Sequence, residues 1–286
     1  MTIESISIPL SEPITRKHRH LSPSIFWSIR QGFPKRLSVL LVVMSLTVPL
    51  TVWTIVSSLQ IIPPIFLPTP TAVLAAGFTM FTENNLGEDL LSSCSRVLAG
   101  FVFAAVIGVP VGLAIGTFHS MDSLLSPIVG TVRYMPITGF VPLIIIWVGL
   151  GEPSKILIIS LGVVLYNIIM VADAVKFIPN EMINVAYTMG ASRWDVLSKV
   201  IVPATFPSVL DTLRVNISGA WNFVVIAELL AAQSGLGFKI IQAQRFLQTD
   251  KVLFCIMLIG AIGLAIDYGL KWVARLMTPW ADRVRH

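Results

Sequence analysis

Charge is what this sequence has least of. Only 12% of its 286 residues are Asp, Glu, Lys or Arg, against the roughly 25% of an ordinary water-soluble domain. With 55% hydrophobic residues and a mean hydropathy of +0.83, most of the chain is suited to lipid rather than water. Cysteine is nearly missing. Cys94 and Cys255 each lie inside an apolar run, which excludes a disulfide framework or a cysteine-based metal site. His18, His20, His119 and His286 are scattered without metal-ligand spacing. No phosphate-cradling loop of the G-x-x-x-x-G-K-S/T kind occurs, so the chain is not itself an ATPase. No Ser-His or Asp-Asp constellation points to a membrane hydrolase or phosphotransferase. Internal repeats and low-complexity tracts are also lacking.

What is there is a series of apolar stretches. Crossing about 30 Å of hydrocarbon at about 1.5 Å per residue takes roughly 20 residues, and such runs recur near 37–62, 91–117, 123–149, 155–175, 205–232 and 252–274. The first is longer than the roughly 7–15-residue core of a cleavable leader, so no signal peptide is expected and the run is read as a span. The third is interrupted at Met135-Pro136-Ile137-Thr138-Gly139. That reads either as a helix broken at membrane depth or as a simple proline kink.

Orientation follows from the cations beside the spans. Arg16, Lys17, Arg19, Arg30, Lys35 and Arg36 precede the first, and Lys271, Arg275, Arg283 and Arg285 follow or end the last. Both termini are therefore expected on the cytoplasmic side, which requires an even number of spans. The segment from Pro63 to Leu90 carries Glu83, Glu88 and Asp89 with no Lys or Arg, as an external loop does. Lys239, Arg245 and Lys251, in the outer connection between spans five and six, are the exception. The net charge of +5 is concentrated at the two termini, which argues against nucleic-acid binding. Residues 1–36 form an N-terminal extension in which Ile25-Phe26-Trp27-Ser28-Ile29 reads as an interfacial helix at the membrane lipid or as a tail without fixed structure. Residues 37–280 form the transmembrane domain, and 281–286 a cytoplasmic tail.

Between spans four and five lies the one sizeable cytoplasmic loop, 176–203. It reads as two short helices: Asn180 caps the first, Gly190 stops it, and Ser192 with Asp195 forms a capping box for the second, which ends before Pro203. Here the sequence resembles the inner-membrane permeases of binding-protein-dependent ATP-binding-cassette importers. Their motif runs Glu-Ala-Ala, three residues, Gly, nine residues, Ile, one residue, Leu-Pro. It is matched by Asn184-Val185-Ala186, Gly190-Ala191, Val200 and Val202-Pro203. Asn184 departs from the usual Glu, and Glu181 lies one turn earlier on the same face. Further matches resemble the subgroup importing nitrate, taurine, sulfonates and bicarbonate. These are Ser95-Arg96-Val97-Leu98-Ala99-Gly100-Phe101, Gly108-Val109-Pro110-Val111-Gly112, Met135-Pro136, Pro142-Leu143, Trp147-Val148-Gly149-Leu150-Gly151-Glu152, Trp221, Ala227-Glu228 and Gly235-Leu236-Gly237.

The resemblance implies an all-α integral membrane fold of the type I importer kind, with about six spans and a cytoplasmic coupling helix, in a bacterial inner membrane. It implies a non-enzymatic permease subunit that binds no cofactor. ATP and Mg would sit on partner ATP-binding subunits, which contact Glu181, Asn184, Ala186, Gly190, Ala191, Arg193 and Pro203. A second permease copy and a periplasmic or lipid-anchored substrate-binding protein complete the expected assembly. The cargo implied is a small oxyanion such as nitrate, a sulfonate or bicarbonate.

Ionisable groups inside spans are costly, and span five has the most. Asp211, Arg214, Ser218 and Asn222 share one arc of a helix, flanked by Trp221 and Glu228. This stripe reads as a pathway lining in which Arg214 attracts an anion, or as an Asp211–Arg214 pair with interhelical hydrogen bonds. Arg96 and Arg133 are expected to reach the headgroups. Pro136, Gly139 and Phe140 suit a gate. An ion-coupled secondary transporter is the alternative, against which stand the missing repeat and the docking motif.

Overall fold

The computed structural model describes residues 34–83, 85–231 and 233–280. The expected interfacial segment at 25–29 and the tail 281–286 lie outside them. The chain divides into two compact units between Val52 and Trp53. The described part of the first is most of helix α1 (Lys35–Ser58), whose side chains from Ser38 to Val52 are all exposed. Exposed apolar surface on every side suits lipid. The hydroxyls of Ser45, Thr47 and Thr51 donate to carbonyls one turn back, at Val42, Val43 and Thr47, so few polar atoms are left to the solvent.

The second unit contains α2 (Pro70–Glu83), α3 (Leu86–Thr117), α4 (His119–Val132), α5 (Ile137–Val148), α6 (Glu152–Lys176), α7 (Asn180–Thr188), α8 (Arg193–Asp195), α9 (Val202–Ala231), α10 (Leu236–Arg245) and α11 (Thr249–Met277). Five described helices, α1 included, are long and apolar enough to cross a membrane, and six if α4 and α5 count as one bent span. The axes of α4 and α5 differ by 98°, far beyond a proline kink, so the interruption at 133–136 is a break. The connections read as plain loops contain helices. In α2, Val73, Ala76, Gly77 and Met80 are buried at helical spacing, a stripe too short to cross a bilayer.

The main axis of packing is α3 against α6. A methyl group added to Gly100, Gly108, Gly112 or Gly116 would lie within 3 Å of α6, for example 2.7 Å from the Ile168 carbonyl oxygen at Gly112. Small residues one and two turns apart let the two backbones approach, which is how helices associate where burial from water gives no drive. α9 packs against both, and Ile158, Ile159, Val163, Ala220, Trp221 and Val224 form the centre of the core.

Beyond α6 the chain turns through Pro179 into α7. Asn180 is the first residue of this helix and its side chain makes no cap, correcting the expected cap; Pro179, with φ −60° and ψ 132°, holds the N-cap position. Gly190, at φ +83°, ends the helix as expected. Its N–H donates to Tyr187 and that of Ala191 to Ala186, the paired bonds of a Schellman turn. Ser192 and Asp195 form the expected capping box. From Val196 to Ile201 the helix widens into a π-helical stretch and runs on through Pro203 into α9 rather than ending before it as expected; Pro203 has no N–H to return to the preceding turn, which the wider stretch accommodates.

Candidate functional site

Three groups of polar residues stand out in the second unit. The first is the hairpin of α7 and α8. Its inner side is anchored by Val175, Val196 and Ile201 with Leu113, Ile178 and Ile183. Its outer side leaves Met189 83% and Trp194 75% exposed. Glu181, Asn184, Gly190, Arg193 and Pro203 are exposed, and Ala186 and Ala191 half-buried, the latter two joined through the turn. The Asp195 carboxylate, ahead of the apolar stretch of α9, is held at a pKa of about 2 by the Lys199 ammonium and by Ser192. Glu181, Asn184, Ala186, Gly190, Ala191 and Arg193 thus lie together on the hairpin, and Pro203 lies beyond it in the first turn of α9.

The second group is the polar face of α9. Ser218 and Asn222 are exposed and line a cavity of about 320 Å³ between α6 and α9, together with Tyr166 and Asn216. Asp211 and Arg214 are half-buried, and Arg214 meets two carboxylates, Asp211 at 3.5 Å and Asp267 of α11 at 3.3 Å. Its positive charge is therefore balanced from both sides, rather than standing alone to attract an anion. Trp221 and Glu228 do not belong to this face: both are buried, Trp221 in the core and Glu228 in a separate ion-pair cluster. Helical angle placed them near the stripe, but α3 and α11 cover that side. Asn216 donates its amide to Asn167 at 2.7 Å, a buried α6–α9 link that sequence reasoning missed. Of the expected gate, Pro136 stands at the break, Gly139 is exposed, and Phe140 packs on the core.

The third group lies where α3 and α6 begin and α9 ends, and it was not anticipated. Arg96 is 3% exposed, not reaching outward as expected. Its Nε and Nη2 grip Glu152 at 2.6 and 2.7 Å, Nη1 donates to Glu228 at 2.7 Å, and the Ser234 carbonyl and hydroxyl take the rest at 2.8 Å. All five guanidinium donors are used. Glu228 also accepts from Ser93 and from the Gly237 N–H at 2.8 Å. Asp89 takes the Gly235 N–H and pairs with Lys239, and Lys155 pairs with Glu152. Three carboxylates thus face three cations. Gly235, at φ +111°, has no room for a side chain, since a methyl there would lie 2.4 Å from the Glu228 carboxyl. Charges of opposite sign at the same ends of different spans were the available signal.

The chain is similar to known proteins over most of its length. Residues 104–279 match the family described as the binding-protein-dependent transport system inner membrane component. The chain belongs to this family. It is 38% identical to the taurine transport system permease protein TauC of Escherichia coli over 90% of its own length and 95% of that protein. It is 28% identical to the putative aliphatic sulfonates transport permease protein SsuC of Bacillus subtilis, over 82% of this chain and 84% of that one. In fold it is similar to a chain of the MetNI methionine ABC transporter in an inward-facing conformation, with a TM-score of 0.61 and 19% identity over 67% of this chain and 95% of that chain. The protein is a multi-pass permease of an ABC importer. The ion-coupled alternative finds no support among these relatives.

Proposed function

We propose that this permease carries a small organic sulfonate such as taurine, with other small oxyanions such as nitrate and bicarbonate as the related class. One observation carries the cargo: both curated relatives described above, the stronger at 38% identity, are named for sulfonates. Two copies of the permease enclose the pathway, and each seats α7 and α8 in an ATP-binding subunit. That subunit, not this chain, holds ATP and Mg. The exposed Met189 and Trp194 above an anchored inner face support this role, because such an element transmits a push without folding away. Both termini lie in the cytoplasm of a bacterial cell, and a substrate-binding protein delivers cargo outside.

In this reading Asn222, Asn216 and Tyr166 offer the anion neutral hydrogen-bond donors beside Ser218, whose hydroxyl donates to the Val215 carbonyl, while Arg214, held between Asp211 and Asp267, brings no unpaired positive charge to trap it. A pathway must bind weakly enough to release. The break at Pro136, with Gly139 and Phe140 beyond it, gives backbone that can move as a gate. The test is transport by the permease reconstituted with its ATP-binding subunit and binding protein in liposomes. ATP-dependent accumulation of radiolabelled taurine, reduced by excess unlabelled alkanesulfonate, is expected. Accumulation of an uncharged solute with none of taurine would sink the assignment.

A further inference from the structure

Toward the end of the unit that carries the hairpin, α4 and α6 enclose a cavity that the transport reading has not used. It holds about 220 Å³ and is lined by Ser126, Arg133, Asp173 and Lys176 with Val129 and Ile168. That is small beside the roughly 300–1,000 Å³ of a pocket for a drug-sized ligand, and it suits a molecule of few heavy atoms. The charges around it fall into two kinds. Lys176 is spent on Asp122, at 3.0 Å, and Ser126 donates to the same carboxylate. Arg133 and Asp173 face the same cavity, yet among the described residues neither has an ion-pair partner, and they do not pair with each other. Arg133 is held on its own side of this gap: its guanidinium carbon stands 4.8 Å from the centre of the Tyr134 ring, and Nη2 donates to the Tyr134 hydroxyl at 2.8 Å. It caps the end of α4, just before the break at Pro136, so movement at the break changes its distance from Asp173 on α6.

We propose that this cavity is a cargo subsite beside the gate that binds an aminoalkanesulfonate zwitterion such as taurine, its sulfonate on Arg133 and its ammonium on Asp173. The proposal rests on the sulfonate reading and narrows it from oxyanions at large to those that also carry an amine. Nitrate or bicarbonate could meet Arg133 but would leave the Asp173 carboxylate facing a like charge. Taurine answers both, since two carbons separate its ammonium from its sulfonate, and Val129 and Ile168 offer those methylenes an apolar wall. Each end makes a charge-assisted hydrogen bond, roughly twice as strong as a neutral one. Because one charge sits on α4 and the other on α6, the site is complete only while the two helices keep this spacing, and movement at the break lets the cargo go.

The experiment uses the permease assembled with its ATP-binding subunit in nanodiscs of phosphatidylcholine and phosphatidylglycerol, without nucleotide or binding protein. Saturation-transfer NMR, which reads weak ligands, titrates taurine and isethionate, the same sulfonate with a hydroxyl in place of the ammonium. The wild type is expected to bind taurine at least about tenfold more tightly. Asp173→Asn should bring taurine down to the isethionate level without weakening isethionate, and Arg133→Gln should weaken both at least about tenfold. Both residues are exposed, so melting temperatures should stay near that of the wild type, and a folding defect would show there. Equal affinity for the two ligands in the wild type overturns the proposal. So does a preference for taurine that survives Asp173→Asn, which would put recognition of the ammonium elsewhere. An ethanolamine phospholipid carries the same two charges two carbons apart; a preference for taurine that vanishes when phosphatidylethanolamine is added to the discs would assign the cavity to a lipid headgroup and overturn the cargo site. Failure of the wild-type transporter to accumulate taurine in liposomes would overturn the sulfonate reading and this proposal with it, whereas accumulation without the expected effects of the two variants would overturn the subsite alone.

Discussion

The two ends of the helical unit use their polar groups in opposite ways. Where α3 and α6 begin, Arg96 and Glu228 are 3% and 1% exposed, and each hydrogen-bonding position of the guanidinium is answered by a partner from another part of the chain. Where α6 ends, Glu181, Asn184 and Arg193 stand in the open beside exposed Met189 and Trp194. The buried Arg96–Glu228 pair fixes one arrangement, because removing either member leaves the other's buried charge short of a partner. Charges left at the surface contribute little to stability and remain available to a second protein. The permease is therefore clamped at one end and exposed at the other, as the proposed coupling role requires.

The comparison breaks first if the clamp is not one. Replacing Glu228 with Leu leaves Arg96 short of a buried partner and should cost about 3–5 kcal/mol, read as lowered thermal stability of the purified protein and lowered membrane abundance. Pairing it with Arg96→Met should cost less than the sum of the two single changes, because no orphan charge remains between them. Simple additivity would show that the pair is not coupled. Gly112→Leu comes next. Its side chain would drive into the Ile168 carbonyl and Val171, and overpacking of about 1–3 kcal/mol should separate α3 from α6 without touching a charge.

At the presented end the effect should fall on work rather than on folding. Gly190→Val forces a β-branched residue into the left-handed position, at roughly 1–2 kcal/mol of local strain, and nothing lies within 4 Å of the added carbon. Membrane abundance should stay near wild type while substrate-stimulated ATP hydrolysis is lost. Stimulated hydrolysis at the wild-type rate would deny the hairpin its coupling role.

Sequence carried the local features and missed those that depend on distant partners. Apolar run length was enough for the spans, and Gly190, Ser192 and Asp195 announced their turn and cap because such signals act over a few residues. Arg96 in an apolar run showed only that a charge was there. Its partner Glu228 lies 132 residues away, and without that contact an outward reach to headgroups was the natural reading. Trp221 and Glu228 went astray for a related reason, since a helical projection gives an angle but not which neighbour covers it. Asp267 is 53 residues from Arg214 in sequence, and only the fold sets it opposite. The helices α2 and α10 carried helical stripes, but a search for spans passes over segments of that length.

The smallest expected effect tests the presented end by pH. Asp195 ionises at about 2 rather than 3.8, because Lys199 and the Ser192 hydroxyl and N–H favour its charged form. A carboxyl whose folded pKa is lowered stabilises the fold above its unfolded value and loses that contribution as pH falls through the folded one. The capping box should therefore hold without change from neutrality to near pH 4 and loosen between there and about pH 2. Amide exchange at residues 192–196 is the measure, since the Asp195 N–H donates to Ser192 Oγ and the Ser192 N–H to the Asp195 carboxylate. Asp195→Asn should exchange faster already at neutral pH and show no further step in that window. A step near pH 4 in the wild type would mean that Lys199 and Ser192 do not hold the carboxylate, and the start of α8 would then rest on the packing of Val196 and Ile201 beneath it.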